Sequence, residues 1–410
     1  MANSRWIGRA AAIPEIRTIT IANTWAQNDT LTVTIGGASL VLTVGTSVAT
    51  TDVAAALKAM LEGDALVGDE SRTNTGDNIP QFSEFDSTVS GSVVTLTGST
   101  DGLPFAITVT ESTAGSGTAT GAQSQAATGP NDVNNANNWS EGSVPGAADD
   151  VFVENTNVSL LYNLDQLSGA TLTSFTVDAS FTGEIGLPKT NANGYNEYRA
   201  DFLEIDCSTI RIGVGDGSGS PRIKINSGTV QTAIEVIKTG GGTEDGVAAL
   251  LLKGSHASNT LEVQEGSVGV AIYGGEAAQY TTVRNAGDLL MSAAVTLATV
   301  QQRGGSIQID SNVTTLTQSG GSSTIYGTAT VTTLTHTGGI CDYRSSGTCT
   351  AGTVGGGREQ SLLTFENDPS SRTFTDLTIK PNSMVRDPHN TLTVTNGITK
   401  HADTIEIVSG

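Results

Sequence analysis

The chain has 410 residues, of which 37% are hydrophobic and only 15% are charged, and its formal net charge is −21. These values exclude a disordered chain and a basic nucleic-acid-binding surface, and they disfavour attraction to an anionic membrane. The 60 threonines and 49 glycines favour short β-strands separated by tight turns. We therefore expect a mainly β protein with no nucleic-acid partner and no membrane partner.

Residues 1–16 are predicted to form an N-terminal arm. This segment lacks the apolar stretch of a secretory signal peptide. Together with the adjoining Arg17, it carries three arginines against one acid, Glu15. Arginine and tryptophan are the residue types that dominate protein–protein interfaces. The candidate partner-binding residues are therefore Arg5, Trp6, Ile7, Arg9 and Arg17.

Residues 17–111 are predicted to form a small α+β domain. Alternating apolar and polar residues indicate strands on both sides of Gly36-Gly37, which is a hairpin turn signal. A helix is expected to follow, capped by Thr50 or Thr51 and ended by Gly63, with one apolar face. Two further strands, SVVTLTG and PFAITVTES, complete the domain. An acidic loop from Glu62 to Asp86 separates them from the helix.

Residues 112–130 are rich in Gly, Thr and Ser, have no apolar periodicity and are predicted to be a flexible linker. Residues 131–410 contain repeats: ATVQQRGG, TTLTQSGG and TTLTHTGG recur at intervals of 16–18 residues. Such units cannot bury their apolar positions alone, but stacking them buries one continuous core. We therefore predict a parallel β-solenoid (β-helix) for residues 131–410.

The repeats predict which side chains face the solenoid core. Val300, Leu316 and Leu334 are expected to form one inward row, which Val283, Val354 and Leu377 extend less regularly. Upstream of residue 283 the repeats are irregular, so a β-sandwich remains an alternative for residues 150–280.

Motifs for catalysis, metal ions and cofactors are missing from the sequence. There is no phosphate-binding loop, no nucleophile elbow and no zinc-protease motif. The three cysteines do not have metal-ligand spacing and are interpreted as buried free thiols, although Cys341 and Cys349 could pair. His336 occupies a repeat position shared with Gln302 and Gln318, and we expect it to be an exposed strand residue. The sequence therefore predicts no catalytic residue, no metal and no cofactor.

One cluster of acids and aromatic rings stands out, in the segment GYNEYRADFLEID at residues 194–206. Acids beside aromatic rings suit a sugar, and a glycosidase needs two carboxyl groups roughly 5–10 Å apart. Because a chain with 41 acids also produces such clusters by chance, a structural loop or a subunit contact is the favoured interpretation. The candidate glycan-binding residues are Tyr195, Glu197, Tyr198 and Asp201.

Residues 137–153, NNWSEGSVPGAADDVFV, resemble a segment at the start of β-solenoid domains in bacterial surface and autotransporter-like proteins. The shared elements are Asn138-Trp139, a turn at Gly142, Val144-Pro145, Asp149-Asp150 and the strand VFV. In such a domain Trp139 would close the end of the core.

The whole layout also resembles that of tailed-phage virion proteins with a small domain before a solenoid. This resemblance implies a virion structural protein assembled in the host cytoplasm, most simply a homotrimeric decoration or cement protein bound to the major capsid protein or to other virion proteins. The alternatives are a tail fibre or tailspike that binds a host surface glycan, a polysaccharide-degrading β-helix enzyme, and a bacterial surface adhesin.

Overall fold

The computed structural model describes residues 2–66, 70–114, 116–242 and 247–401, together with the backbone of Ile407–Ser409. The chain is mainly β and forms a parallel β-solenoid of about 12 turns, with a small domain of antiparallel sheets near the N-terminus. The predicted fold class is confirmed. The order of the parts differs from the prediction, because the small domain is inserted into the solenoid.

The solenoid begins at the N-terminal segment itself. Strand β1 (Asn3–Arg5) pairs in parallel with β10 (Asp150–Val153), so that Ser4 lies opposite Val151. Trp6 is 1% exposed and belongs to the solenoid core. The prediction of a separate arm for residues 1–16 is therefore wrong. An apolar Trp next to a strand-compatible triplet is better stabilised inside the first coil than in solvent.

The small domain leaves and rejoins the solenoid at one narrow neck. Ile13 and Thr128 form an antiparallel bridge there, with hydrogen bonds of 2.7 and 3.1 Å between their backbones. The elements of the domain are β2 (Ile16–Ala22), β3 (Thr30–Ile35), β4 (Ala38–Thr43), α1 (Thr50–Leu61), β5 (Ser71–Arg72), β6 (Phe85–Ser90), β7 (Val93–Gly98), β8 (Ile107–Ser112) and β9 (Thr118–Gln125).

These strands form two four-stranded antiparallel sheets, in the orders β6-β7-β2-β9 and β5-β4-β3-β8, and α1 contributes to the core they enclose. The predicted hairpin at Gly36-Gly37 is confirmed between β3 and β4, with both glycines at positive φ. The predicted helix is confirmed, but its N-cap is Ala49 and no threonine side chain caps it. No helix in the described ranges is long and apolar enough to cross a membrane.

Residues 112–130 are not a flexible linker along their whole length. Strand β9 occupies Thr118–Gln125 and pairs antiparallel with β2. Its sequence, TATGAQSQ, has no alternating apolar pattern, because β9 lies at the sheet edge and most of its side chains are exposed. Tertiary pairing, rather than an apolar pattern, holds this segment.

The rest of the solenoid consists of β11 (Leu167–Asp178), β12 (Leu203–Val214), β13 (Ile223–Asn226), β14 (Ala233–Val236), β15 (Leu250–Lys253), β16 (Thr260–Val263), β17 (Ser267–Val270), β18 (Ala278–Asn285), β19 (Asp288–Met291), β20 (Val295–Gln302), β21 (Ser306–Ile309), β22 (Val313–Gln318), β23 (Ser322–Ile325), β24 (Val331–His336), β25 (Gly339–Tyr343), β26 (Cys349–Val354), β27 (Ser361–Thr364), β28 (Arg372–Ile379), β29 (Ser383–Asp387), β30 (Leu392–Val394), β31 (Ile398–Lys400) and β32 (Ile407–Ser409). Each of these strands pairs in parallel with a strand of the preceding coil. The sandwich alternative for residues 150–280 is therefore wrong.

The predicted inward row is confirmed in its regular part. Val300 lies opposite Leu316, which lies opposite Leu334, and all three are fully buried. The next member of the row is Gly352 rather than Val354. The Phe374 ring lies against Gly352, where an added Cβ would stand 2.9 Å from it. A large side chain from the neighbouring coil thus fills the gap that the missing side chain leaves.

A second inward row is polar in four consecutive coils, between the apolar residues Val263 and Val354. Asn285, Gln302, Gln318 and His336 stand opposite one another in consecutive coils, and each is at most 1% exposed. We call these four residues the polar ladder. Their side chains bond to carbonyls of the adjacent Gly turns and of the following coil; Gln318 Nε2, for example, donates to the carbonyls of Gly321 (3.1 Å) and Ile340 (2.8 Å).

The prediction that His336 is exposed is therefore wrong. Its ring is fully buried, and Nε2 lies 3.1 Å from the Leu362 carbonyl. A polar residue two positions before Gly-Gly indicates a turn-capping role. Period-2 alternation places His336 on the same face as the inward Leu334, so its polarity alone suggested exposure. The interpretation of all three cysteines as buried free thiols is confirmed.

Candidate functional site

The candidate partner-binding residues at the N-terminus are largely used inside the protein. Trp6 packs edge-to-face on Trp139, with ring centroids 5.1 Å apart, and its Nε1 donates to the Val158 carbonyl at 2.8 Å. Arg5 Nε pairs with Glu154 at 2.7 Å. Trp139 thus closes the end of the core, as its motif suggested, with Trp6 as its partner.

The remaining residues of that set are divided between the surface and the small domain. Arg9 is exposed and Ile7 is half-buried. Arg17 Nε donates to the buried carboxylate of Glu15 at 2.6 Å and to the Phe105 carbonyl at 2.8 Å. The five residues therefore do not form one surface, and Trp6 is inaccessible to a partner while the solenoid is folded.

The candidate glycan-binding residues lie in the loop between β11 and β12. Residues 186–202 of this loop belong to the solenoid and include the side chains that contact the small domain. We call them the clamp loop. Tyr198 packs against the core of the small domain. Tyr195 is 6% exposed, and its ring stacks on that of Tyr198 with centroids 6.3 Å apart. The structure therefore brings these residues together as an internal contact.

The centre of the contact is an ion pair that crosses the junction. Arg199 Nη2 lies 2.5 Å from Glu84 Oε1, and the two side chains are 10% and 0% exposed. Arg199 also pairs with Glu197 at 2.9 Å and donates from Nε to the Pro104 carbonyl at 2.7 Å. Tyr198 Oη donates to Glu84 Oε2 at 2.7 Å. Burial raises the pKa of Glu84, although Arg199 and Tyr198 oppose the change.

Close packing at Gly36 supports the same contact. Its φ is +54°, and an added Cβ would lie 2.6 Å from the Tyr198 ring. The glycine therefore serves both the hairpin turn and the approach of the clamp loop. The sequence alone does not reveal this contact, because Glu84 and Arg199 are 115 residues apart and share no local pattern.

A cleft of about 360 Å³ opens beside the clamp, between the two parts of the molecule. We call it the junction cleft. The small domain contributes Glu15, Arg17, Pro104, Phe105, Ala106 and Gln123, and the solenoid contributes Leu161, Tyr162, Asn163, Asp165, Tyr198, Arg199 and Ala200. Its volume falls within the roughly 300–1,000 Å³ of small-molecule sites, which are frequent at domain junctions.

Most charges around the junction cleft are already neutralised. Glu15 accepts hydrogen bonds from Arg17 Nε, Gln123 Nε2 (2.9 Å) and the Phe105 backbone N–H (3.1 Å). Arg199 is paired as described above. Burial raises the pKa of Tyr162 to about 12, so its phenol stays neutral and can donate a hydrogen bond.

Asp201, the fourth candidate glycan-binding residue, also lies in the clamp loop, but its carboxylate contacts the solenoid rather than the small domain. Its carboxylate lies 3.1 Å from Nζ of Lys224, which is 1% exposed. The Lys224 ammonium also lies 5.3 Å from the ring centroids of Phe202 and Tyr273. A buried ammonium requires such compensation by a carboxylate and ring faces.

A second groove of about 470 Å³ runs beside this lysine, across several coils. Its acids are Glu204 and Asp206, from the sequence cluster, and Glu276, from the loop after β17; Lys253 is its base. Burial raises the pKa of Glu276. No three His, Cys, Asp or Glu side chains converge as metal ligands in the described ranges.

Two comparisons with known proteins found no match. No protein-family model matches the chain, and no curated protein is significantly similar to it in sequence. Function must therefore be argued from the solenoid, the clamp and the junction cleft.

Proposed function

We propose that the protein is a non-catalytic structural component of a tailed-phage particle, of the capsid decoration type. The observation that supports this proposal most is the buried Glu84–Arg199 pair, which fixes the small domain to the solenoid near its N-terminal end. A rigid shaft with a module held at one end is suited to positioning rather than to turnover. Its stacked inward rows give it a continuous core along the whole shaft.

In this proposal the small domain contacts the particle and the solenoid projects from it. The N-terminal segment can no longer be the anchor, because Trp6 is buried. The small domain instead presents the open edge of β6, where Thr88, Val89 and Ser90 are exposed. An open strand edge offers unpaired backbone groups to a partner strand. The partner would be the major capsid protein or another virion protein, and several copies, as in a homotrimer, would strengthen a weak contact.

The test uses particles produced from a genome in which this gene carries a stop codon. Purified protein is added, and the amount that co-sediments is measured for the native chain and for Val89→Pro, which blocks strand pairing at the β6 edge. Glu111→Pro, at an exposed position of β8 in the second sheet of the same domain, is the control for nonspecific damage.

We expect the native chain and the control to bind in many copies per particle and Val89→Pro to bind weakly. A few copies per particle would favour a tail fibre instead. Failure of the native chain to bind would contradict the proposal. Release of reducing ends from host capsule or lipopolysaccharide would contradict its non-catalytic part and favour the enzyme alternative.

A further inference from the structure

The junction cleft has the composition of a site for an uncharged polar ligand. Its lining carries two arginines, Arg17 and Arg199, and two acids, Glu15 and Asp165. Three of these charges are engaged in the hydrogen bonds and ion pairs described above. The field inside the cleft is therefore nearly balanced, although the whole chain has a net charge of −21. A charged ligand would gain little there and would lose its hydration.

Aromatic rings from both parts of the molecule border the cleft. Phe105 comes from the small domain, whereas Tyr162 and Tyr198 come from the solenoid. Phe105 is 2% exposed, and Tyr162 and Tyr198 are both half-buried. The Tyr198 ring already stacks on Tyr195 and lies 4.5 Å from the Arg199 guanidinium, so Tyr162 is the better candidate to contact a ligand. Ring faces pack against the apolar C–H face of a flat ligand.

Polar groups at the rim complement these rings. Asn163 and Asp165 are exposed and adjoin Tyr162, and Gln123 stands on the opposite wall. Asn163 Nδ2 and Gln123 Nε2 donate to protein carboxylates, which leaves their carbonyl oxygens to accept from a ligand. Acceptors beside a phenol donor fit hydroxyl groups, each of which both donates and accepts.

We propose that the junction cleft binds a neutral saccharide, with Tyr162 as the stacking platform and Asp165 as a hydroxyl acceptor. A saccharide combines an apolar C–H face with a rim of hydroxyls, which matches the rings and acceptors of the cleft. A wholly apolar ligand would leave the rim acceptors unsatisfied. The site needs both halves of the molecule, so the clamp also holds the two walls of the cleft together.

The experiment measures binding of the full-length chain to a panel of purified bacterial O-antigen and capsular oligosaccharides, neutral and acidic, followed by calorimetry on those that bind. The variants are Tyr162→Ala, Tyr162→Phe and Asp165→Asn. Tyr326→Ala is the matched control, because Tyr326 is a half-buried tyrosine of the solenoid outside the cleft lining. Thermal unfolding of each variant shows whether it is folded.

We expect neutral oligosaccharides to bind. Tyr162→Ala should lower the affinity about tenfold, as loss of a stacked ring does. Asp165→Asn and Tyr162→Phe should each lower it less, because both keep the stacked ring and weaken one hydrogen bond, and Tyr326→Ala should leave it nearly unchanged. If Tyr162→Ala does not fold, comparison of Asp165→Asn with Tyr326→Ala still decides the question.

Three results would overturn the inference. They are no binding by any oligosaccharide at millimolar concentration, preference for acidic oligosaccharides, and binding that neither Tyr162→Ala nor Asp165→Asn reduces. The last result would show that the saccharide binds outside the junction cleft. Because particle association is measured separately, failure of saccharide binding leaves the proposed structural role to its own test.

Discussion

Trp6 and Trp139 close the N-terminal end of the solenoid core as an edge-to-face pair. Both indoles are 1% exposed, and each Nε1 donates to a backbone carbonyl. An indole in this position covers the apolar side chains of the first coils and has no unsatisfied polar group. The N-terminal segment is therefore part of the fold rather than an extension of it.

Replacing Trp6 with Ala should destabilise the solenoid by about 3–5 kcal/mol, because it removes a large buried ring and leaves a cavity above Trp139. Arg9→Ala is the control, since Arg9 is exposed in the same segment. The measurement is the free energy of unfolding from urea titration. Equal stability of the two variants would show that Trp6 does not hold the end of the core.

His336 gives the polar ladder a titratable member. Burial lowers its pKa to about 4, although hydrogen bonds to backbone carbonyls oppose the change. In the unfolded chain the imidazole titrates at about 6.5. Between these values the unfolded state binds more protons than the folded state, so stability falls as the pH falls from 6.5 to 4.

The His336→Gln variant should remove this pH dependence. Glutamine already occupies the equivalent position in the two preceding coils, at Gln302 and Gln318, so the replacement fits the ladder. At about 1.36 kcal/mol per pKa unit, the native chain should lose about 3 kcal/mol more than the variant between pH 7 and pH 4. Urea titrations at both pH values test this. Parallel loss in the two proteins would mean that His336 is protonated without cost.

The clamp loop is the element on which the relative position of the two parts depends. Its Tyr198 and Arg199 side chains both bond to the carboxylate of Glu84 in the small domain. Removing one member of a buried pair leaves the other charge uncompensated, which costs more than the pair itself contributes.

Arg199→Ala should therefore destabilise the protein by about 3–5 kcal/mol. Arg211→Ala is the matched control, because Arg211 pairs with Glu235 at 3.1 Å on the surface, with side chains 54% and 33% exposed. An exposed pair of this kind contributes about 1 kcal/mol or less. Adding Glu84→Gln to Arg199→Ala should restore part of the loss. Additive effects of the two changes in urea titrations would show that Glu84 and Arg199 do not interact.

Sequence patterns predicted the elements whose contacts are local or repeated. The β3–β4 hairpin, the apolar face of α1 and the row through Val300, Leu316 and Leu334 each follow from periodicity or from turn residues. The sequence patterns did not predict strand β9 or the pairing of β1 with β10, because long-range contacts determine both. The polar ladder was missed because polar side chains are expected at the surface, although alternation places these residues on the same face as the inward row. Their side chains satisfy buried turn carbonyls.

In the candidate site, too, local composition was readable from the sequence but long-range contacts were not. The segment around Tyr198 was identified from its composition, but its role as a clamp requires Glu84, which lies 114 residues earlier. The junction cleft combines residues from five separate stretches of the chain. No local pattern connects these stretches, so a topology with the small domain inserted into the solenoid had to be known first.

At the scale of the whole molecule, the small domain is an insertion between β1 and β10. Its two connections meet at the hydrogen-bonded bridge between Ile13 and Thr128. Cα atoms in such a pair are about 5.5 Å apart, a distance that a two-residue turn can span. The domain also has its own hydrophobic core, separate from that of the solenoid.

Replacing residues 14–127 with Asn-Gly should therefore leave a folded solenoid. The shortened protein keeps β1, Trp6 and every coil, so its core remains complete. The Asn-Gly sequence favours the tight turn that the bridge requires. The shortened protein loses Glu84 and leaves Arg199 facing solvent, where the guanidinium is hydrated rather than buried. Hydrogen exchange followed by mass spectrometry should show native protection in β20–β28 and increased exchange only around the clamp loop. Loss of protection throughout β20–β28 would instead mean that the solenoid depends on the small domain for its folding.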